Sequence, residues 1–149
     1  MGGKEAMKKI KFDTGVEEVA LGGGVLRFNP RDPNLFARFE QAAGKLQSVE
    51  KDMAEKAQAV ACDGLAVMKI LQEADQAMKE ILSWVFGDGN DFDTILQGVN
   101  LLAVASNGQR VVTNLFDALE PLLLEGAKRC AEHQAQQAAA KAQRRRNAQ

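Results

Sequence analysis

Histidine, cysteine and tyrosine are scarce or absent in this chain. Its 149 residues include one histidine, two cysteines, one tryptophan and no tyrosine. Cys62 and Cys130 lie far apart, whereas a disulfide framework shows several close-spaced pairs, so we expect two reduced thiols that act as small buried hydrophobic residues. Metal sites and nucleophilic triads lack most of the side chains from which they are built.

Long apolar runs are also missing. No stretch approaches the roughly 18 residues that a membrane span requires, and the opening residues lack the apolar region of a signal peptide. We therefore expect a cytoplasmic protein without a membrane segment. The chain is 46% hydrophobic and 26% charged, a composition typical of one globular domain with its own core.

Motifs for catalysis or ligand binding are equally weak. His133 lies in a polar tail, and nothing in the sequence supplies the nucleophile or second acid that a general base needs. Gly22-Gly23-Gly24 is not followed by the Lys-Ser/Thr of a phosphate loop and predicts a hairpin turn. The acidic residues 88–93 lack the distant glutamate of an EF-hand, so we interpret them as loop residues and helix caps. We expect no enzymatic activity, no cofactor and no metal.

Charge is unevenly distributed along the chain. Residues 126–149 carry a net charge of +5, while the whole chain carries −1, which leaves −6 for residues 1–125. The sequence thus predicts an acidic body with a basic tail. The basic residues of the tail are Lys128, Arg129, Lys141, Arg144, Arg145 and Arg146.

Strand patterns occur only near the N-terminus, after a flexible segment at residues 1–7. Apolar and basic residues alternate over residues 9–12, and a second strand pattern at residues 25–28 follows the three glycines. Residues 16–21 form a vaguer third pattern. We predict a β-hairpin or a three-stranded sheet within residues 8–29.

Helical periodicity covers the rest of the chain. Asp32 and Pro33 are typical of an N-cap and a first helical residue, and they predict a helix of about 28 residues. We expect a break or turn near Gly64, with a continuous helix as the alternative. A second helix should end at Gly87, followed by a short helix over residues 92–97 and a long helix from Gln109. The predicted fold is mainly α with a small N-terminal β-hairpin (α+β), with a single globular domain at residues 8–130 and a helical Ala/Gln/Arg-rich tail at residues 131–149.

Two groups of side chains are candidates for binding a partner. Periodicity favours the core for the four aromatic residues, but an amphipathic helix often leaves part of its apolar face to a partner. The basic cluster would bind acidic surfaces weakly and in a salt-dependent way. The candidates are Phe36, Phe39, Trp84, Phe86, Lys141, Arg144, Arg145 and Arg146.

The order of several short motifs resembles a family of small proteins from tailed phages and prophages of Gram-positive bacteria, the tail assembly chaperones and chaperone-like proteins. Residues 31–39, Arg-Asp-Pro-Asn-Leu-Phe-Ala-Arg-Phe, are similar to the start of the family's first helix. Residues 78–87, which end in Val-Phe-Gly, resemble the end of its second helix, and residues 98–103 and the basic tail continue the likeness. The chain departs from the family in its alanine-rich residues 51–66.

The resemblance implies a non-enzymatic role in phage tail morphogenesis. Members of the family bind the tape measure protein and hold it until the major tail protein polymerises around it. The implied partners are therefore these two proteins, and the implied location is the host bacterial cytoplasm rather than the mature virion. Self-association into a homo-oligomer stays open.

Two other functions are retained as alternatives. The N-terminal strands would suit a structural tail or head–tail connector subunit, because strands can extend a neighbour's sheet. The arginine cluster would suit a small nucleic-acid-binding regulatory protein, although the acidic body would repel phosphates.

Overall fold

The computed structural model describes residues 7–148 and is mainly helical, with an antiparallel hairpin at the N-terminal end. This confirms the predicted fold class. The predicted flexible segment 1–7 lies outside the described residues except for Met7. The elements are β1 (Glu17–Leu21), β2 (Gly24–Phe28), α1 (Pro33–Ala59), α2 (Gly64–Phe86), α3 (Phe92–Ile95) and α4 (Val111–Asn147).

The hairpin uses a different first strand from the one with the clearest sequence pattern. β1 pairs with β2 in an antiparallel register that sets Leu21 opposite Gly24. Such a two-residue turn pairs the residues that directly flank it, so the segment immediately before the glycines becomes the partner of β2. The prediction of a strand at residues 9–12 was wrong, because residues 7–16 contain no strand.

Side-chain caps define the predicted start of α1 and the predicted break before α2. Asp32 accepts a hydrogen bond from the Asn34 N–H, and Pro33 is the first helical residue. The chain leaves the helical conformation after Ala59, and Asp63 caps the next helix. The break therefore falls just before Gly64, where the sequence predicts it.

The end of α2 is joined to the hairpin by one buried amide. Gly87, at φ +103°, ends the helix as predicted. The Asn90 side chain then accepts a hydrogen bond from the Arg27 N–H at 2.7 Å and donates to the Arg27 carbonyl at 3.0 Å. The same amide nitrogen donates to the Phe86 carbonyl at 3.0 Å. Asn90 thus connects β2 to the C-terminus of α2.

The connection between α2 and α4 follows the predicted order with small shifts. Asp91 caps α3, which ends at Ile95 and is shorter than predicted, and α4 begins at Val111 rather than Gln109. The intervening loop is fixed to α2 because the Leu101 N–H donates to the Asp75 carboxylate at 2.7 Å.

The core lies between the helices and the inner face of the hairpin. α1 contacts both α2 and α4, and the Phe39 and Phe116 rings stack with their centroids 5.0 Å apart. Farther along α4, Gly126 passes directly over the Pro30 carbonyl. The fully buried larger side chains are Leu26, Met78, Leu82, Val85, Leu101, Leu119 and Leu123.

The two thiols are free, but they are not buried as expected. Cys62 is exposed in the turn between α1 and α2, and Cys130 is half-buried on α4. Cys62 follows the end of α1, and Cys130 lies where α4 leaves the body. The expectation of two small core residues was therefore wrong.

The close passage of α4 over Pro30 makes a substitution at Gly126 costly. A Cβ atom there would lie 1.7 Å from the Pro30 carbonyl oxygen, whereas a Cβ at Gly44, on an exposed position of α1, would meet nothing within 4 Å. We expect Gly126→Ala to lower the free energy of unfolding by about 1–3 kcal/mol. The matched control Gly44→Ala should raise it by roughly 0.5–1 kcal/mol. Urea denaturation measures both, and a shift of the same sign in the two variants would contradict the packing described.

Candidate partner-binding surfaces

Phe36 and Phe39 lie on the side of α1 that faces α4. Both are half-buried. Phe39 stacks on Phe116, and Phe36 lines a shallow pocket of about 230 Å³ with Ala127 and Cys130 of α4. Most of their surface is therefore used to join α1 to α4, although Phe36 retains an open edge at this pocket.

Trp84 and Phe86 point to different environments despite their proximity in sequence. Phe86 is only 7% exposed and packs between Phe28 and Phe92, so it belongs to the core and offers no binding surface. Trp84 is 40% exposed, and the Lys45 ammonium lies 3.6 Å from its ring centroid. This cation–π contact between α1 and α2 covers part of the ring and leaves an apolar edge in solvent.

The four basic candidates lie at the end of a long exposed helix. α4 continues from the body without interruption to Asn147, and every residue from 131 to 148 is exposed. These residues form a projecting helix roughly 25 Å long, here called the α4 extension. Lys141, Arg144, Arg145 and Arg146 lie in its last two turns, where positive charge also favours the helix C-terminus.

A further apolar surface lies at the opposite end of α1. The first turns of α4 reach α1 near Leu46 and Glu50, and the loop before α4 reaches α2 at Leu71 and Asp75. In the two-helix tip beyond these contacts, defined as residues 54–70, Leu65 and Met68 are 85% and 63% exposed. Helical spacing groups Leu65 and Met68 with the core face of α2. The spacing within α2 does not indicate how far along α1 and α2 the packing of α4 extends.

Three titratable groups have pKa values that their local hydrogen-bond partners shift, namely Lys79, Asp91 and Lys56. Burial lowers the pKa of Lys79, but its hydrogen bonds to Asp75 and Asp93 more than offset this, so the pKa lies above its ordinary value. Its Nζ lies 2.8 Å from Asp75 and 2.7 Å from Asp93. Hydrogen bonds from Thr94 lower the pKa of Asp91, as suits a helix cap. A hydrogen bond to Asp52 raises the pKa of Lys56.

The acidic loop does not form a recognisable ligand site. Residues 88–93 border an open depression of about 570 Å³ beside α2, and Asp91 and Asp93 are engaged as described above. Across residues 7–148 no group of three or more His, Cys, Asp or Glu side chains is arranged to hold a metal ion. His133 is exposed on the α4 extension, away from any acidic or nucleophilic cluster.

Comparisons of the chain with protein-family models, with curated proteins and with solved structures found no match. None of the helices within residues 7–148 combines the length and apolar character needed to cross a membrane. The surfaces themselves therefore supply the structural evidence for function. The sequence predicted the basic cluster and the aromatic residues, but it did not distinguish the two-helix tip from the core.

The ion pair at Lys79 predicts a specific pH dependence of stability. Because the pKa of Lys79 in the folded chain lies above its ordinary value of 10.5, the stabilisation is complete below that value. It is lost as the pH rises through the folded-state pKa. We expect Lys79→Met to be less stable than the unmodified chain at pH 7, and the difference to shrink above about pH 10.5.

Urea denaturation of both proteins from pH 7 to pH 11.5 measures this difference. Lys51→Met, which removes an exposed lysine of α1, serves as the control and should show little difference at either pH. A difference between Lys79→Met and the unmodified chain that stays constant across the range would contradict the assignment.

Proposed function

We propose that this chain is a non-enzymatic tail assembly chaperone-like protein that binds the phage tape measure protein, the major tail protein, or both. The observation that carries the proposal is the α4 extension. Residues 131–147 are exposed helix with a basic end, and none of them is buried against the rest of the described chain. The motif order that resembles the chaperone family supports the same function.

The physical properties of the extension fit transient binding to a long helical client. Its residues are mostly Ala, Gln, Lys and Arg, which favour the helix but bury little apolar surface. Isolated helices of this length are marginal in water, so contact with a second helix would stabilise it. Affinity from such a surface is modest and salt-sensitive, as suits a protein that must release its client.

The apolar residues exposed on the body add a second element to the proposal. Trp84, Leu65 and Met68 would shield apolar stripes of an aggregation-prone client. Under this proposal the protein acts in the host bacterial cytoplasm and is absent from the mature virion. No cofactor or membrane is required.

Co-expression with the tape measure protein of the same phage tests the proposal. We expect the unmodified chain to keep the tape measure protein in the supernatant and to co-purify with it. Arg144→Glu/Arg145→Glu should weaken the complex by roughly tenfold at low salt, since two attractive charges become repulsive. The matched control Lys51→Glu/Arg110→Glu reverses two exposed charges outside the α4 extension and the two-helix tip and should bind normally.

Two outcomes would contradict the chaperone function. A tape measure protein that stays insoluble and unbound in the presence of the unmodified chain would exclude the proposed client. Detection of this chain at many copies in purified virions by mass spectrometry would instead favour the structural tail subunit.

A further inference from the structure

The two edges of the hairpin differ in their hydrogen bonding. On the outer edge of β2, Asn90 pairs with both the N–H and the carbonyl of Arg27. Beside it, the Gly23 N–H donates to the Ile95 carbonyl at 3.0 Å. The loop after α2 and the end of α3 therefore cover this edge, and no further strand can pair with β2.

The outer edge of β1 is open within the described residues 7–148. Leu21 and Gly24 flank the two-residue turn and form a hydrogen-bonded pair. Because bonded and non-bonded pairs alternate along an antiparallel ladder, Ala20–Val25 and Glu18–Arg27 are non-bonded pairs. The N–H and carbonyl groups of Glu18 and Ala20 consequently point away from β2. No residue from 7 to 148 pairs with them. An edge of this kind is a template for another strand.

A strand-like segment of the same chain pairs with no other residue between 7 and 148. Ile10 and Phe12 are 83% and 80% exposed, and they alternate with lysines over residues 8–12 without forming a strand. The Thr14 carbonyl accepts a hydrogen bond from Asn29, and the Gly15 carbonyl accepts one from Arg31. These contacts hold the chain beside the end of β2, so residues 8–12 do not lie along their own β1.

We propose that residues 8–12 of a second copy of this chain pair with the open edge of β1 and extend the sheet to three strands. Ile10 and Phe12 have the same two-residue spacing as Val19 and Leu21, the half-buried residues of β1 that pack against the core. If the segment pairs so that Ile10 and Phe12 lie on the same side of the sheet as Val19 and Leu21, these two exposed apolar side chains are removed from water. This inference does not depend on the proposed chaperone function.

Charge identifies the occupant as this chain's own segment. Residues 8–12 carry three lysines and no acid, while β1 begins with Glu17 and Glu18. Both carboxylates already pair with an arginine at 3.0 Å, but they remain about half exposed or more and have capacity for further donors. Two copies that exchange segments reciprocally form a closed pair, because each supplies one segment and one edge.

Light scattering after size exclusion, over a range of protein concentrations, tests the proposal on the full chain. We expect a concentration-dependent dimer, and Ile10→Ser/Phe12→Ser should raise its dissociation constant roughly tenfold or more. Ala20→Pro removes the outward N–H of β1 without touching its bonds to β2 and should have a similar effect. The controls are Leu65→Ser/Met68→Ser, an equally exposed apolar pair, and Ala20→Ser, which keeps the N–H.

Mixing the two impaired variants separates pairing from misfolding. Ala20→Pro retains an intact segment and Ile10→Ser/Phe12→Ser retains an intact edge, so together they should form a heterodimer that neither forms alone. Three results would overturn the proposal. The first is a monomer at every concentration of the unmodified chain. The second is a dimer whose dissociation constant changes in neither Ile10→Ser/Phe12→Ser nor Ala20→Pro. The third is a dimer abolished only by Leu65→Ser/Met68→Ser.

Discussion

The amide of Asn90 connects the two parts of this structure. An isolated two-stranded hairpin is marginal in water, and β1–β2 depends on its attachment to the helices. Asn90 supplies the polar part of that attachment by pairing with the backbone of Arg27 while it satisfies the Phe86 carbonyl at the end of α2. Because these groups are buried or partly buried, their hydrogen bonds must be made within the protein. Together with the Gly23–Ile95 hydrogen bond, the same amide covers the β2 edge of the hairpin, whereas no residue from 7 to 148 pairs with the β1 edge.

The position of α4 along α1 determines which apolar residues are buried. α4 begins near Glu50 of α1 and passes the first turn of α1 near Phe36, then continues into solvent. At one end, α1 and α2 extend beyond α4 and expose Leu65 and Met68. At the other end, α4 extends beyond α1 and carries the basic cluster. The two-helix tip and the α4 extension are thus the parts of the long helices that project beyond their neighbours.

Local signals in the sequence predicted the features that depend on neighbouring residues. Asp32 and Asp91 cap the helices that follow them, and Gly87 ends α2, as their residue types predict. Features that depend on distant residues were less predictable. The strand at residues 9–12 was predicted wrongly, because alternation of apolar and basic residues does not indicate which segment pairs with β2. In the structure that segment is residues 17–21. The roles of Asn90 and Gly126 likewise depend on residues far away in the sequence.

For the candidate site, charge was predictable and exposure was not. The exposure of the basic end of α4 follows directly from composition, because a segment without large apolar side chains has little to bury in a core. For the aromatic residues, helical spacing did not distinguish buried from exposed side chains. Phe86 is buried while Trp84, two positions earlier, is partly exposed, and only the packing of α1, β2 and α3 around them distinguishes the two.

Amide hydrogen exchange of the full chain, alone and with the tape measure protein, tests most directly whether the α4 extension is a binding element. For the chain alone, we expect strong protection in α2 near Leu82 and rapid exchange over residues 131–147, because that helix has no tertiary packing. Addition of the client should protect residues 131–147 selectively. Strong protection of this segment in the chain alone, or no change on adding a client that binds elsewhere on the body, would contradict the proposed role.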